Sequence, residues 1–259
     1  MRVVIEPVAE LYRLAARRVA DVIHANPACV LGLAAGRTML PLYEELGRLH
    51  TAEGLSFAAV TAFNLDEYVG VGPDEPGSFR RFMRTQLLER TDLRAGALHL
   101  PDASDPDPAA AARAYEARVR AAGGIDLQLL GLGVNAHLGF NEPGSSLASR
   151  TRVKTLSDET LAANHEDLPA VVRERRLAIT QGLSNILEAR TCLWIAVGAA
   201  KAGAVAAAVE GPVTASAPAS VLQLHPDVYA YVDEAAAAGL VRRRYYVDAE
   251  ARERLLEGC

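Results

Sequence analysis

Short apolar runs separated by segments of helical spacing recur along the chain, and this alternation restricts the fold more than any other feature. Residues 2–5 (RVVI) read as a strand. Pro7 then suits a first helical turn, where its missing N–H is no loss. Val8, Leu11, Ala15, Val19, Val22 and Ile23 return at helical spacing after it. Further strands are expected at residues 29–33, 57–63, 98–100, 125–130, 193–197, 221–224 and 245–247. Further helices are expected through Leu42 and Leu46 and near residues 78–89, 108–121 and 199–209. Strands joined by crossover helices pair in parallel, so the pattern predicts an α/β fold: a doubly wound, mostly parallel, Rossmann-like sheet flanked by helices. The 259 residues are expected to form a single domain, 1–259, since a chain of that length can bury one core. Residues 102–108 (DASDPDP) carry turn chemistry. The polar, charged stretch 156–176 fits a core least and is expected to form a mobile lid.

Composition narrows the function classes. The formal charge of -5 and the lack of a basic stripe exclude a phosphate-tracking surface, so no nucleic-acid partner is expected. No apolar stretch approaches the roughly 18 residues of a membrane span, and the first residues lack a signal-peptide pattern. A cytoplasmic protein with no membrane partner is therefore expected. Cys29, Cys192 and Cys259 have no metal-ligand spacing, and the first two read as small buried hydrophobes. Only Lys154 and Lys201 among the 27 basic residues are lysine. Residues 32–38 (GLAAGRT) do not match a dinucleotide fingerprint, and no cofactor or metal is expected.

Ligands of open α/β sheets bind outside the carboxyl ends of the strands. That rule selects residues 34–38, 64–70 and 131–144. In the second loop, Asp66 and Glu67 are adjacent carboxylates: either a general base with a neighbour that tunes it, or a solvated turn. In the third, His137 lies five residues before Glu142, a carboxylate able to orient an imidazole and raise its basicity.

Taken together, FNLDEYVG, GLGVNAHLGFNEPGSSLASRTRVKTL and the later LQLH resemble the glucosamine-6-phosphate deaminases, in order and spacing along nearly the whole chain. The resemblance implies that Asp66 moves a proton between C2 and C1 of an opened amino sugar. It implies that His137 opens the ring, with Glu142 as its carboxylate partner. Asn135 falls where family members carry Asp or Asn, and Lys201 matches a phosphate-binding lysine. Gly36 and Thr38 keep the phosphate turn, with Ala35, Arg37 and Glu67 as further candidate substrate contacts. Ser145, Arg152, Lys154 and Thr155 resemble a site where some members bind a phosphorylated activator. The partner implied is a small amino sugar or sugar phosphate, and a homo-oligomer is one possibility.

The chain departs from the family at the phosphate grip. GLAAGRTML has Ala35 where a hydroxyl is usual, Arg37 where a small residue is usual and Met39 in place of proline. The arginine that the family places in its lid falls at His165 or Glu166, and Arg173, Arg175 and Arg176 are the nearest substitutes. A guanidinium at Arg37 suits a phosphate, whereas a glutamate facing one would repel it. The expectation is thus an aminosugar isomerase–deaminase whose substrate carries a 6-phosphate or lacks it. The alternatives are a lactonase or aldose–ketose isomerase of the same fold, and, more weakly, a non-catalytic sugar-phosphate sensor. The sensor is disfavoured because the first strand begins at residue 2 and leaves no space for a DNA-binding module.

Overall fold

In the computed structural model, which describes residues 1–163 and 168–257, seven strands form one wholly parallel sheet. They are β1 (Arg2–Ile5), β2 (Val30–Leu33), β3 (Thr61–Asn64), β5 (Leu98–His99), β6 (Leu127–Gly131), β9 (Thr191–Ala196) and β10 (Val228–Val232). Their order is β1-β10-β9-β6-β2-β3-β5, and every neighbouring pair runs parallel. The order reverses at β2 and β6, whose carboxyl ends diverge and open the crevice that such sheets use for ligands.

Successive side chains of these strands alternate between two cores. Leu31, Leu33, Leu127, Leu129, Leu193 and Ile195 pack with α1 (Val8–Ala25) and α2 (Leu40–Glu53). Val30, Leu130, Cys192 and Trp194 pack on the other face with α4 (Pro108–Ala121), α7 (Leu183–Leu187) and α8 (Ala202–Val209). At the reversal, Gly32 pairs with Gln128, and a Cβ on Gly32 would sit 2.2 Å from the Gln128 Oε1. Only glycine lets the two strands meet with that amide between them.

A second, antiparallel sheet stands at the carboxyl end of the first. It joins β4 (Asp66–Tyr68), β8 (Leu177–Thr180) and β7 (Arg152–Thr155) in the order β4-β8-β7. Leu65 alone separates β3 from β4. Its N–H donates to Leu33 O at 2.7 Å, and its carbonyl accepts from Gln181 N at 2.9 Å, so one residue is bonded into both systems. Over this sheet lie α5 (Asp158–Ala163) and α6 (Ala170–Arg175). Leu156, Leu168 and Val172 pack there on Tyr68 and Phe140. The stretch 156–176 is thus largely helical with a small core of its own, apart from residues 164–167, which lie outside the described part.

Three expectations at the strand level fail. Residues 57–60 form a turn closed by Val60 N to Phe57 O, because Asp92 Oδ1 captures the Phe57 N–H, and β3 begins only at Thr61. Residues 221–224 belong to a 3₁₀ turn opened by Pro218, and the strand of that region is β10, four residues later. Residues 245–247 lie inside α9 (Arg243–Glu257). Two tyrosines and a valine favour a strand locally, but the Ala-, Arg- and Glu-rich sequence that follows favours a helix.

Candidate functional site

The three loops selected by the strand-end rule meet at a cleft of about 270 Å³, joined by the turn after β9. Ala35, Gly36, Arg37 and Thr38 line it from the turn after β2, and Asp66 lines it from the start of β4. Asn135 and His137 come from the loop after β6, and Lys201 from the turn after β9. Phe79, at the start of α3 (Phe79–Gln86), and Tyr68 and Phe140 make an aromatic wall, with Tyr68 4.8 Å from Phe79 and 5.2 Å from Phe140.

Asp66 is 5% exposed. Burial, and then the neighbouring Glu67 charge, push its pKa well above the ordinary carboxylate value. Gly139 gives this carboxyl its room. It has φ +56°, and a Cβ there would lie 2.8 Å from Thr180 Oγ1 and 3.1 Å from Asp66 Oδ2. Glu67 points elsewhere, as strand alternation requires. Its carboxylate accepts the backbone N–H groups of Tyr68 and Phe79 at 3.0 Å and of Arg80 at 2.9 Å, and so caps α3. It is a support of the site and does not line the cleft.

His137 is fixed by a relay. Asn135 Nδ2 donates to Glu142 Oε2 at 3.3 Å, which turns Asn135 Oδ1 toward the ring, where it lies 2.7 Å from His137 Nδ1. Nδ1 therefore carries the proton, and Nε2 keeps its lone pair. Glu142 Oε2 is also 3.6 Å from Nδ1. Burial lowers the His137 pKa, Glu142 opposes that, and Lys201 adds to it, so the ring gives up its second proton more readily than a free imidazole. Burial would raise Glu142, but Thr160, His137, Ser157 and Asn135 together outweigh it and hold the carboxyl below its usual range. A Cβ on Gly133 would fall 2.3–2.5 Å from the His137 ring, so the imidazole lies directly on that backbone.

The turn after β2 is built from backbone. Gly36, at φ +114°, opens a 3₁₀ turn that runs into α2. Tyr43 OH donates to Ala34 O at 2.7 Å and Tyr12 OH to Thr38 O at 2.8 Å, pinning both ends. Gly198, at φ +94°, opens a matching 3₁₀ turn into α8. Lys201 sits in that turn and donates to Leu132 O at 2.6 Å, with its pKa lowered by burial. Arg37 is exposed at the cleft mouth, shared with an adjoining groove of about 380 Å³.

The remaining candidates lie apart from the cleft. Arg152 and Lys154 share one face of β7, Thr155 is exposed, and Ser145 is buried with its hydroxyl unpartnered. Arg152 donates to Arg150 O at 3.2 Å, and burial lowers its pKa. His165 and Glu166 lie outside the described residues. Arg176 pairs with Asp158 at 2.5 Å, and the Arg175 guanidinium covers Gly70; neither they nor Arg173 line the cleft. Sequence reasoning missed Ser157, Glu159 and Thr160. Thr160 and Glu159 line the cleft, and Ser157 and Thr160 both bond Glu142. Their signal was SDET, a helix-start pattern, which marks a cap before it marks a site.

A family profile described as "Glucosamine-6-phosphate isomerases/6-phosphogluconolactonase" matches residues 6–230. The chain is 48% identical over 247 residues to a glucosamine-6-phosphate deaminase of Arthrobacter sp. (strain FB24), covering 95% of each chain. It is 46% identical over 263 residues to that of Marinomonas sp. (strain MWYL1), covering 100% of this chain and 99% of the other. The structure of a monomeric glucosamine-6-phosphate deaminase superposes with a TM-score of 0.89 at 40% identity, over 92% of this chain and 100% of that one. A 6-phosphogluconolactonase from Trypanosoma cruzi shares the fold, with a TM-score of 0.74 at 23% identity over 93% of this chain and 97% of that one. On the matched residues and these identities, the chain belongs to the glucosamine-6-phosphate isomerase/6-phosphogluconolactonase family.

Proposed function

We propose that this protein is an aminosugar isomerase–deaminase acting on glucosamine 6-phosphate with net consumption of water, and hence a hydrolytic deaminase. The observation that supports the reading is two groups lining one cleft: a buried carboxyl at Asp66 and an imidazole at His137 whose Nδ1 is engaged by the Asn135–Glu142 relay while Nε2 is not. A lactonase uses a group to activate water but has no role for a second carboxyl poised as a carbon base.

The chemistry follows from those two groups. His137 Nε2 takes the proton of the anomeric hydroxyl and delivers it to the ring oxygen as the C1–O5 bond breaks, leaving an aldehyde and a neutral ring again. Asp66 then removes the C2 proton. The C–H electron pair becomes the C1–C2 double bond of an enolamine while O1 takes up a proton. Returning the proton to C1 gives a ketimine at C2. Water adds to C2, the C–N bond breaks, and the products are a ketose 6-phosphate and ammonia. The 6-phosphate is assigned to the Gly36 turn, Thr38 and Lys201, with Arg37 adding a guanidinium at the rim. Backbone N–H groups at the start of α2 favour an anion, and guanidinium suits phosphate oxygens.

The test is ammonia release from glucosamine 6-phosphate and from free glucosamine, side by side, with Asp66→Asn as control. Activity on the phosphorylated sugar is expected, falling by about 10²–10⁴-fold in the control. Activity on free glucosamine alone, or full activity in Asp66→Asn, would reject the assignment.

A further inference from the structure

Glu142 is held from both sides. Its Oε2 faces Asn135 and His137, whereas its Oε1 accepts two hydroxyl hydrogen bonds, from Ser157 Oγ at 3.0 Å and from Thr160 Oγ1. Ser157 immediately precedes α5 and Thr160 lies in its first turn, where the Thr160 N–H donates to Ser157 Oγ at 3.2 Å. Thr160 and Glu142 are both buried, so the bond between them forms away from water, while Ser157 is half-buried. The same turn supplies Glu159 and Thr160 to the cleft wall. The segment 157–160 that helps line the cleft is therefore also the one that grips the carboxylate behind the imidazole.

We propose that Thr160 and Ser157 are positioning residues that couple the docking of α5 to the proton chemistry of His137 through Glu142. With α5 docked, Oε1 is pinned and Oε2 is aimed at the Asn135 amide, which keeps the proton on Nδ1 and frees Nε2. With the two hydroxyls withdrawn, the carboxylate loses its aim, and the His137 tautomer and basicity are no longer fixed. A cleft without its cover thus has a poorly formed acid–base group, which guards against ring opening without commitment. Among the described residues, the charged and titratable groups lining the cleft with this unit are His137 from the loop after β6, Lys201 from the turn after β9, Asp66 and Tyr68 from β4, Arg37 from the turn after β2, and Glu159 from α5 itself.

The proposal rests on the deaminase reading for its kinetic readout but not for its spectroscopic one. Thr160→Val keeps the shape and removes the donor, Ser157→Ala removes the other, and Thr160→Ser returns a hydroxyl. Kinetically, Thr160→Val is expected to lower kcat about tenfold or more, with KM little changed. The acid side of its kcat/KM profile should change from wild type, because Glu142 then protonates more readily and His137 titrates lower, and Thr160→Ser should recover most of the loss. Independently of turnover, the NMR titration of the His137 ring, assigned with His137→Gln, should move to lower pH in Thr160→Val. A wild type that releases no ammonia would reject the deaminase reading while this titration still decides the coupling. An unchanged His137 titration in folded Thr160→Val overturns the proposal. So does an equal loss of activity in Thr160→Val and Thr160→Ser with the pH profile unmoved.

Discussion

The Asp66 carboxyl is neutral more readily in the folded chain than in the unfolded one, since burial and Glu67 both raise its pKa. Proton removal from carbon needs the ionised form, so turnover should fall as pH drops through a value above the ordinary carboxylate pKa of about 4. A pH–rate profile checks this. Stability runs the other way. A raised folded pKa contributes stability below the unfolded pKa, and that contribution is lost as pH rises through the folded pKa. Asp66→Asn should therefore melt higher than wild type at neutral pH, by about 2–4 °C per kcal/mol relieved. The gap should close as pH is lowered toward about 4 in thermal scans. Gly133→Ala tests the opposite wall. Its Cβ would fall within 2.5 Å of the His137 ring, so the imidazole must shift. A displacement of this kind should cost about 10²-fold in kcat, with far-UV circular dichroism unchanged.

At the scale of elements, the site depends on how α3 and β4 are joined. Glu67 accepts two N–H groups from the first turn of α3, and Ser78 Oγ accepts a third from Arg81 at 3.0 Å. Glu67→Gln leaves one donor-bearing end against those N–H groups and should destabilise the fold by about 1–3 kcal/mol, read by denaturant unfolding. Activity should fall with it because Asp66 shares the strand. The pair DE in FNLDEYVG was legible as chemistry but not as two different jobs, since the strand that separates their faces was not expected. The parallel sheet was largely legible because its strands are short apolar runs ended by loop residues, as at residues 29–33. The small sheet was not, because β7 (RVKT) is polar and β4 (DEY) carries two carboxylates. Burial by tertiary packing, rather than intrinsic preference, makes them strands. Asp66 and His137 were visible as residue types at strand ends, whereas Asn135 and Lys201 were named through the family resemblance. Ser157 and Thr160 were not, because their role appears only once α5 folds against Glu142.

At the scale of the whole molecule, the two sheets carry the two proposed proton-transfer groups separately. His137 follows β6 of the large parallel sheet, and Asp66 begins β4 of the small one. The single tryptophan, Trp194, is fully buried in β9 of the large sheet, so its fluorescence follows that sheet's core. The small sheet has three strands and a modest core, so it is the part with less free energy against local opening. Heating in steps should therefore abolish ammonia release at a lower temperature than the one at which Trp194 fluorescence changes. Coincident midpoints would show that the sheets melt together. Leu65 makes that separation matter, for a single residue tied by its backbone to both sheets transmits any loosening of one straight to the carboxyl beside it. If the two midpoints separate, the seam is a thermal fuse: ammonia release is interrupted first, while the larger sheet still holds.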